Sequence, residues 1–119
     1  MLAHGALLRK NFFSAEELIN IARDYRHAGL TEEEVTLMAF AQKVTSHSSE
    51  ITPQDMAELR QVGLTDGEIL DVVLACTARN FFSKTLDALD AAPDEKYLEL
   101  EPELVKALTI GRPFLVPTD

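Results

Sequence analysis

Three times along this 119-residue chain a Ser or Thr is followed three positions later by Glu: Ser14-Ala15-Glu16-Glu17, Thr31-Glu32-Glu33-Glu34 and Thr65-Asp66-Gly67-Glu68. In such a capping box the hydroxyl accepts a hydrogen bond from the N–H of the third helical residue. The carboxylate accepts one from the N–H of the cap residue. Each box satisfies two backbone donors that a helix start otherwise leaves open. The chain is thereby directed to begin helices at three stated places, and a helical fold is the first expectation.

The residues after each box carry helical spacing. Leu18, Ile21, Ala22 and Tyr25 share one face, and the helix stops near Ala28-Gly29, because Gly readily takes the left-handed conformation of a helix end. Val35, Met38, Ala39, Ala41 and Val44 follow the second box, and the polar run Ser46-His47-Ser48-Ser49 ends that helix. Thr52-Pro53-Gln54-Asp55 opens a further helix, with Pro at the first helical position, where no N–H is needed. Met56, Leu59 and Val62 continue it and Gly63 closes it. The third box starts the longest helix, from about Asp66 to Asp90. Ile69, Leu70, Val72, Val73, Leu74, Ala75, Cys76 and Ala78 make it apolar almost all round, which predicts a place at the centre of a core or in an oligomer interface. Residues 103–108 suit a short helix. The run from Gly111 to Pro117 is too proline-rich to continue it and reads as an arm. No segment alternates with period two, so an all-α fold is expected. Gly29-Leu30-Thr31 and Gly63-Leu64-Thr65 recur 34 residues apart, the period of a tetratricopeptide array. The helix faces between them do not align, so two junctions with the same capping solution explain the recurrence.

Charge and cysteine content narrow the classes of function. The formal net charge is −9, which argues against nucleic acid and against anionic membrane surfaces, since both need clustered Lys and Arg. Cys76 is the single cysteine, so neither an internal disulfide nor a thiolate metal cluster can form from this sequence. The apolar stretch Ile69 to Ala78 is far shorter than the roughly 20 residues of a membrane span. The start lacks the basic and apolar regions of a signal peptide. A reducing cytoplasm is the expected setting.

Few residues offer chemistry. His4 precedes the apolar-basic stretch Gly5-Ala6-Leu7-Leu8-Arg9. A lone histidine near a terminus is ordinarily a solvated side chain; the functional reading is a proton carrier titrating near neutrality. His27 and His47 lie at helix ends, where the dipole favours them. The three histidines do not share one helix face at ligand spacing, and no Glu-x-x-His occurs, so no metal and no cofactor is expected. Cys76 sits within the apolar helix and reads as a small buried hydrophobe, although Arg79 at i+3 could favour a thiolate. Asn80, beside Phe81 and Phe82, reads as a structural polar residue that needs a hydrogen-bond partner. Lys84 could pair with Asp87 or Asp90. Asp94, Glu95, Glu99 and Glu101 read as a solvated acidic face.

The order of several stretches resembles the carboxymuconolactone decarboxylase/alkylhydroperoxidase-D-like superfamily, in its peroxidase-related branch. Residues 4–9 resemble the end of that family's catalytic helix, and 24–31 the junction after it. Phe40-Ala41-Gln42-Lys43-Val44-Thr45 resembles F/Y-A-x-K-L-T. Asp55 with the run 59–71 resembles D-x-x-x-L-R-x-x-G-x-x-D-x-E-I-L-D, and Asn80-Phe81 stands where N-F-x-N-R is frequent. The resemblance covers His4 to about Leu100. It implies an orthogonal bundle of five to seven helices with a long central apolar helix, over a domain at 1–100. A short helix and proline-rich arm would follow at 101–119. It further implies a homo-oligomer, trimer or hexamer.

In activity it implies thiol-dependent hydroperoxide reduction, with a thiol reductant for a full-length form. A thiolate breaks the O–O bond to give a sulfenic acid and an alcohol; a second thiol then closes a disulfide and water leaves. The family motif C-x-x-C-x-x-x-H maps its histidine, a proton relay, onto His4. Both cysteines would fall ahead of Met1, and Ser83 and Lys84 replace the second Asn and the Arg of N-F-x-N-R. An internal start within a longer protein and a shortened, redox-dead paralogue both account for this. A non-catalytic helical interaction module and a true lactone decarboxylase are the alternatives.

Overall fold

A computed structural model describes residues 1–110, and among them no strand occurs. Six α-helices run along the described residues: α1 Leu2–Asn11, α2 Ala15–Asp24, α3 Glu32–Ser46, α4 Pro53–Gln61, α5 Asp66–Ala88 and α6 Pro102–Leu108. Single 3-10 turns lie at Tyr25–His27, Ser48–Glu50 and Glu95–Glu99. The all-helical expectation therefore holds, and all three capping boxes are present. The hydroxyls of Ser14, Thr31 and Thr65 accept from the N–H groups of Glu17, Glu34 and Glu68, whose carboxylates accept from the cap residues' N–H groups. At the fourth helix start the Asp55 carboxylate accepts from the Thr52 N–H at 2.7 Å. Gly29 and Gly63 have φ of +78° and +107°, the left-handed geometry that lets the chain leave α2 and α4 so abruptly.

The chain divides into two compact units, Leu30–Asp90 and the flanking segments Met1–Gly29 with the chain from Ala91. In the flanking unit, α1, α2 and α6 enclose Leu2, Leu18, Leu104 and Leu108, with Phe13, Ile19, Tyr97 and Val105 around them. Residues 101–110 are thus grouped by packing with 1–29, whereas the sequence reading placed a division at 100. The reason is physical: α6 is only seven residues long, too short to stand alone, and its leucines are buried against α1 and α2. The arm read at 111–117 lies outside the described residues.

In the unit Leu30–Asp90, α3, α4 and α5 enclose Phe40, Val44, Leu59, Leu64 and Ile69. Here one expectation is corrected. α5 is long, at 23 residues, but it is not a central helix. Ile69, Val72, Val73 and Cys76 face the core, while Leu70, Leu74, Phe81, Phe82, Leu86 and Leu89 are exposed. At 1.5 Å per residue α5 runs about 35 Å and the 15-residue α3 about 22 Å, so α5 outruns its main neighbour. No helix among the described residues is long and apolar enough to cross a membrane.

Candidate functional site

Three features could carry function: His4, Cys76 with its surroundings, and the polar joints made by the motif residues. His4 lies in the first turn of α1 with an exposed side chain. It belongs to the flanking unit, and Cys76 and Asn80 to the other. His27 sits in the turn after α2, and its Nδ1 is 2.7 Å from Asp24 Oδ2. That contact is the main cause holding the Asp24 carboxyl below its ordinary range. Among the described residues no cluster of His, Cys, Asp or Glu could hold a metal ion.

Cys76 is half-buried on the core-facing side of α5, and burial raises its thiol pKa. Desolvation disfavours the charged form, so the thiol stays protonated near neutrality and is a poor nucleophile. Arg79 does not reverse this.

Motif residues meet at the helix joints instead. Lys43 on α3 donates through Nζ to both carboxylate oxygens of Asp55 on α4, at 2.8 and 2.7 Å. The Lys43 hydrogen bonds, followed by those from Thr52, hold the Asp55 pKa down at about 2. Arg60 Nε donates to Asp66 Oδ1 at 2.7 Å across the α4–α5 turn. Asn80 Nδ2 donates to Thr45 Oγ1 at 3.3 Å, from α5 to α3. The stretches 40–45, 55–71 and 80–81 therefore converge on one function of geometry: they fix α3, α4 and α5 to each other. Sequence reading missed the Lys43–Asp55 pair. Its only local signal was Asp55 at the third position of a helix opened by Thr52.

Two charged residues behave differently from expectation. Glu101, read as part of a solvated face, accepts from Arg9 Nε at 2.9 Å and ties α1 to the start of α6. Lys84 forms no ion pair among the described residues, where Asp87 or Asp90 had been the expected partner. Lys84 stands instead at the edge of the exposed face of α5. Phe81 and Phe82 on that face pack edge to face, with centroids 5.5 Å apart. A shallow groove runs beside Thr77, Phe81, Lys84 and Ala88. No protein-family model matches this chain, and no curated protein matches it.

Proposed function

We propose that this chain is a helical part of an alkylhydroperoxidase-D-like scaffold with no thiol chemistry of its own, and that its working surface is the apolar face of α5. The observation that carries this reading is the exposure of five large apolar side chains on α5, Leu70, Leu74, Phe81, Phe82 and Leu86, with Leu89 just past its end. Contiguous apolar surface of that size marks an interaction site on a folded domain. The convergence of the motif stretches on helix joints supports the scaffold half of the reading, since these are the residues a shared bundle would need. The non-catalytic half is supported by Cys76, the single thiol, half-buried and kept protonated.

In an extended protein that supplied two cysteines ahead of α1, His4 would be the proton relay and an external thiol the reductant. The chain as given is expected to consume no hydroperoxide in the presence of a thiol reductant, and Cys76→Ser is expected to change nothing. Turnover abolished by Cys76→Ser would overturn the non-catalytic reading. Light scattering tests the association reading: self-assembly or complex formation lost on Phe81→Glu is expected. A chain that stays monomeric and indifferent to Phe81→Glu in every mixture would end it.

A further inference from the structure

Part of the exposed surface of α5 is ordered as a seam. Leu70, Leu74, Thr77, Phe81, Lys84 and Ala88 follow one another at intervals of four, three, four, three and four, the spacing along which one helix interlocks with another. All six are exposed, whereas Val72, Val73 and Cys76 turn to the core. At 1.5 Å per residue the seam is about 27 Å long. Phe82 and Leu86 stand on another side of the helix and take no part. A groove follows the second half of the seam, beside Thr77, Phe81, Lys84 and Ala88. That is the outline of a hole for one side chain of a facing helix.

We infer that this seam receives an amphipathic helix of a different protein, one that sets an acidic residue opposite Lys84 and carries basic residues along both edges of its apolar stripe. The inference rests on the association reading above and names the chemistry of the partner.

Charge supplies that chemistry. Lys84 stands inside the seam and forms no ion pair among the described residues. Covered by a wholly apolar helix, its ammonium would lose water with nothing in return. An opposing carboxylate gives it a charged hydrogen-bond acceptor. Asp71 and Asp87 flank the seam on opposite sides, beside its first and last turns, and they too form no ion pair among the described residues. Flanking positions are where paired helices select partners by charge, and two carboxylates there call for Lys or Arg. The surroundings have the same sign. The unit Leu30–Asp90 holds eleven acidic residues against four basic ones, and Lys43 and Arg60 are already paired with Asp55 and Asp66. Such a field draws in a cationic helix and turns away an anionic one.

The same residues distinguish this partner from a second copy of the chain. The seam contains no acidic residue. In any register another α5 seam offers Lys84 only leucine, threonine, phenylalanine, alanine or a second lysine, so the charge at the centre of the contact stays unanswered.

The experiment titrates the full chain into labelled synthetic helical peptides about three heptads long and follows fluorescence anisotropy. The first peptide has a leucine seam interrupted by one Glu, with Lys on both flanks. The second has Lys in place of that Glu, the third has Glu on the flanks, and the fourth is the first with its order scrambled. The chain itself is expected to sediment as the 13.2 kDa monomer. The first peptide is expected to bind about tenfold more tightly than the second, a difference of about 1.4 kcal/mol. Lys84→Glu is expected to reverse that order, and Phe81→Glu to abolish binding, both with helical circular dichroism intact because the two residues are exposed. Equal binding of the third or the scrambled peptide would overturn the inference, and so would an order of the first two that Lys84→Glu leaves unchanged. A dimer of the chain that Phe81→Glu dissolves would also overturn it, while the association reading survived. A monomer that binds none of the peptides would remove both.

Discussion

Gly5 is buried in α1, where an added β-carbon would overlap the side chain of Leu108 on α6. Alanine would help the helix by about 1 kcal/mol, but crowding a packed core costs about 1–3 kcal/mol. Because Leu108 is itself buried in the cluster and has little room to step aside, crowding wins. Gly5→Ala is expected to lower stability by about 1 kcal/mol in urea melts, and an unchanged midpoint would show that Leu108 yields. Asp55 is a second case of a residue doing more than its position announces. Its carboxyl titrates near 2 instead of 3.8, first because Lys43 donates to it and then because Thr52 does. A carboxyl with a lowered folded pKa adds stability above its unfolded pKa, and that stability is lost as pH falls through the folded value. The contribution is therefore full above about pH 4 and gone below about pH 2. Asp55→Asn should destabilise the protein at neutral pH and flatten the acid-unfolding curve across that window, followed by circular dichroism. A variant as acid-sensitive as the parent would show the pair to be inert.

At the scale of elements, helix starts are the most legible part of the chain. A capping box is complete within four residues, so Ser14, Thr31 and Thr65 specify their helices without help from the rest of the molecule. Thr65→Ala removes the hydroxyl that accepts from Glu68 N–H and is expected to cost about 1 kcal/mol. Amide exchange should quicken first at the start of α5; protection unchanged there would argue against the cap. Helix length was legible too, since α5 ends two residues before the expected Asp90. The covered face of α5 was not legible. Its apolar residues occur almost all round, and composition alone does not distinguish the side meeting α3 and α4 from the side meeting nothing in its own unit. Asn80 was read as a residue in need of a partner, but Thr45, 35 positions away, could not be named from local pattern.

At the scale of the whole molecule, the described residues hold two hydrophobic clusters rather than one. Leu59 and Leu104, each fully buried, sit at their centres. Truncating either to alanine is expected to cost about 2–5 kcal/mol. Native-state exchange should report the loss in α3, α4 and α5 for Leu59→Ala, and in α1, α2 and α6 for Leu104→Ala. Loss confined to the wrong set of helices would contradict the division. The candidate site shows the same split in legibility. His4 and Cys76 were visible as residue types, and the resemblance gave His4 a role. The burial that keeps Cys76 protonated is a property of its packing.

What the sequence by itself determined is where the capped helices begin, where they stop and that no strand competes with them among the described residues, because capping, glycine geometry and helical spacing act within a few residues. What only the tertiary structure decided is which apolar faces are covered. It also decided that Arg9 meets Glu101 and Lys43 meets Asp55. Those outcomes depend on the lengths of neighbouring helices and on segments up to 92 positions apart, and no local pattern carries that information.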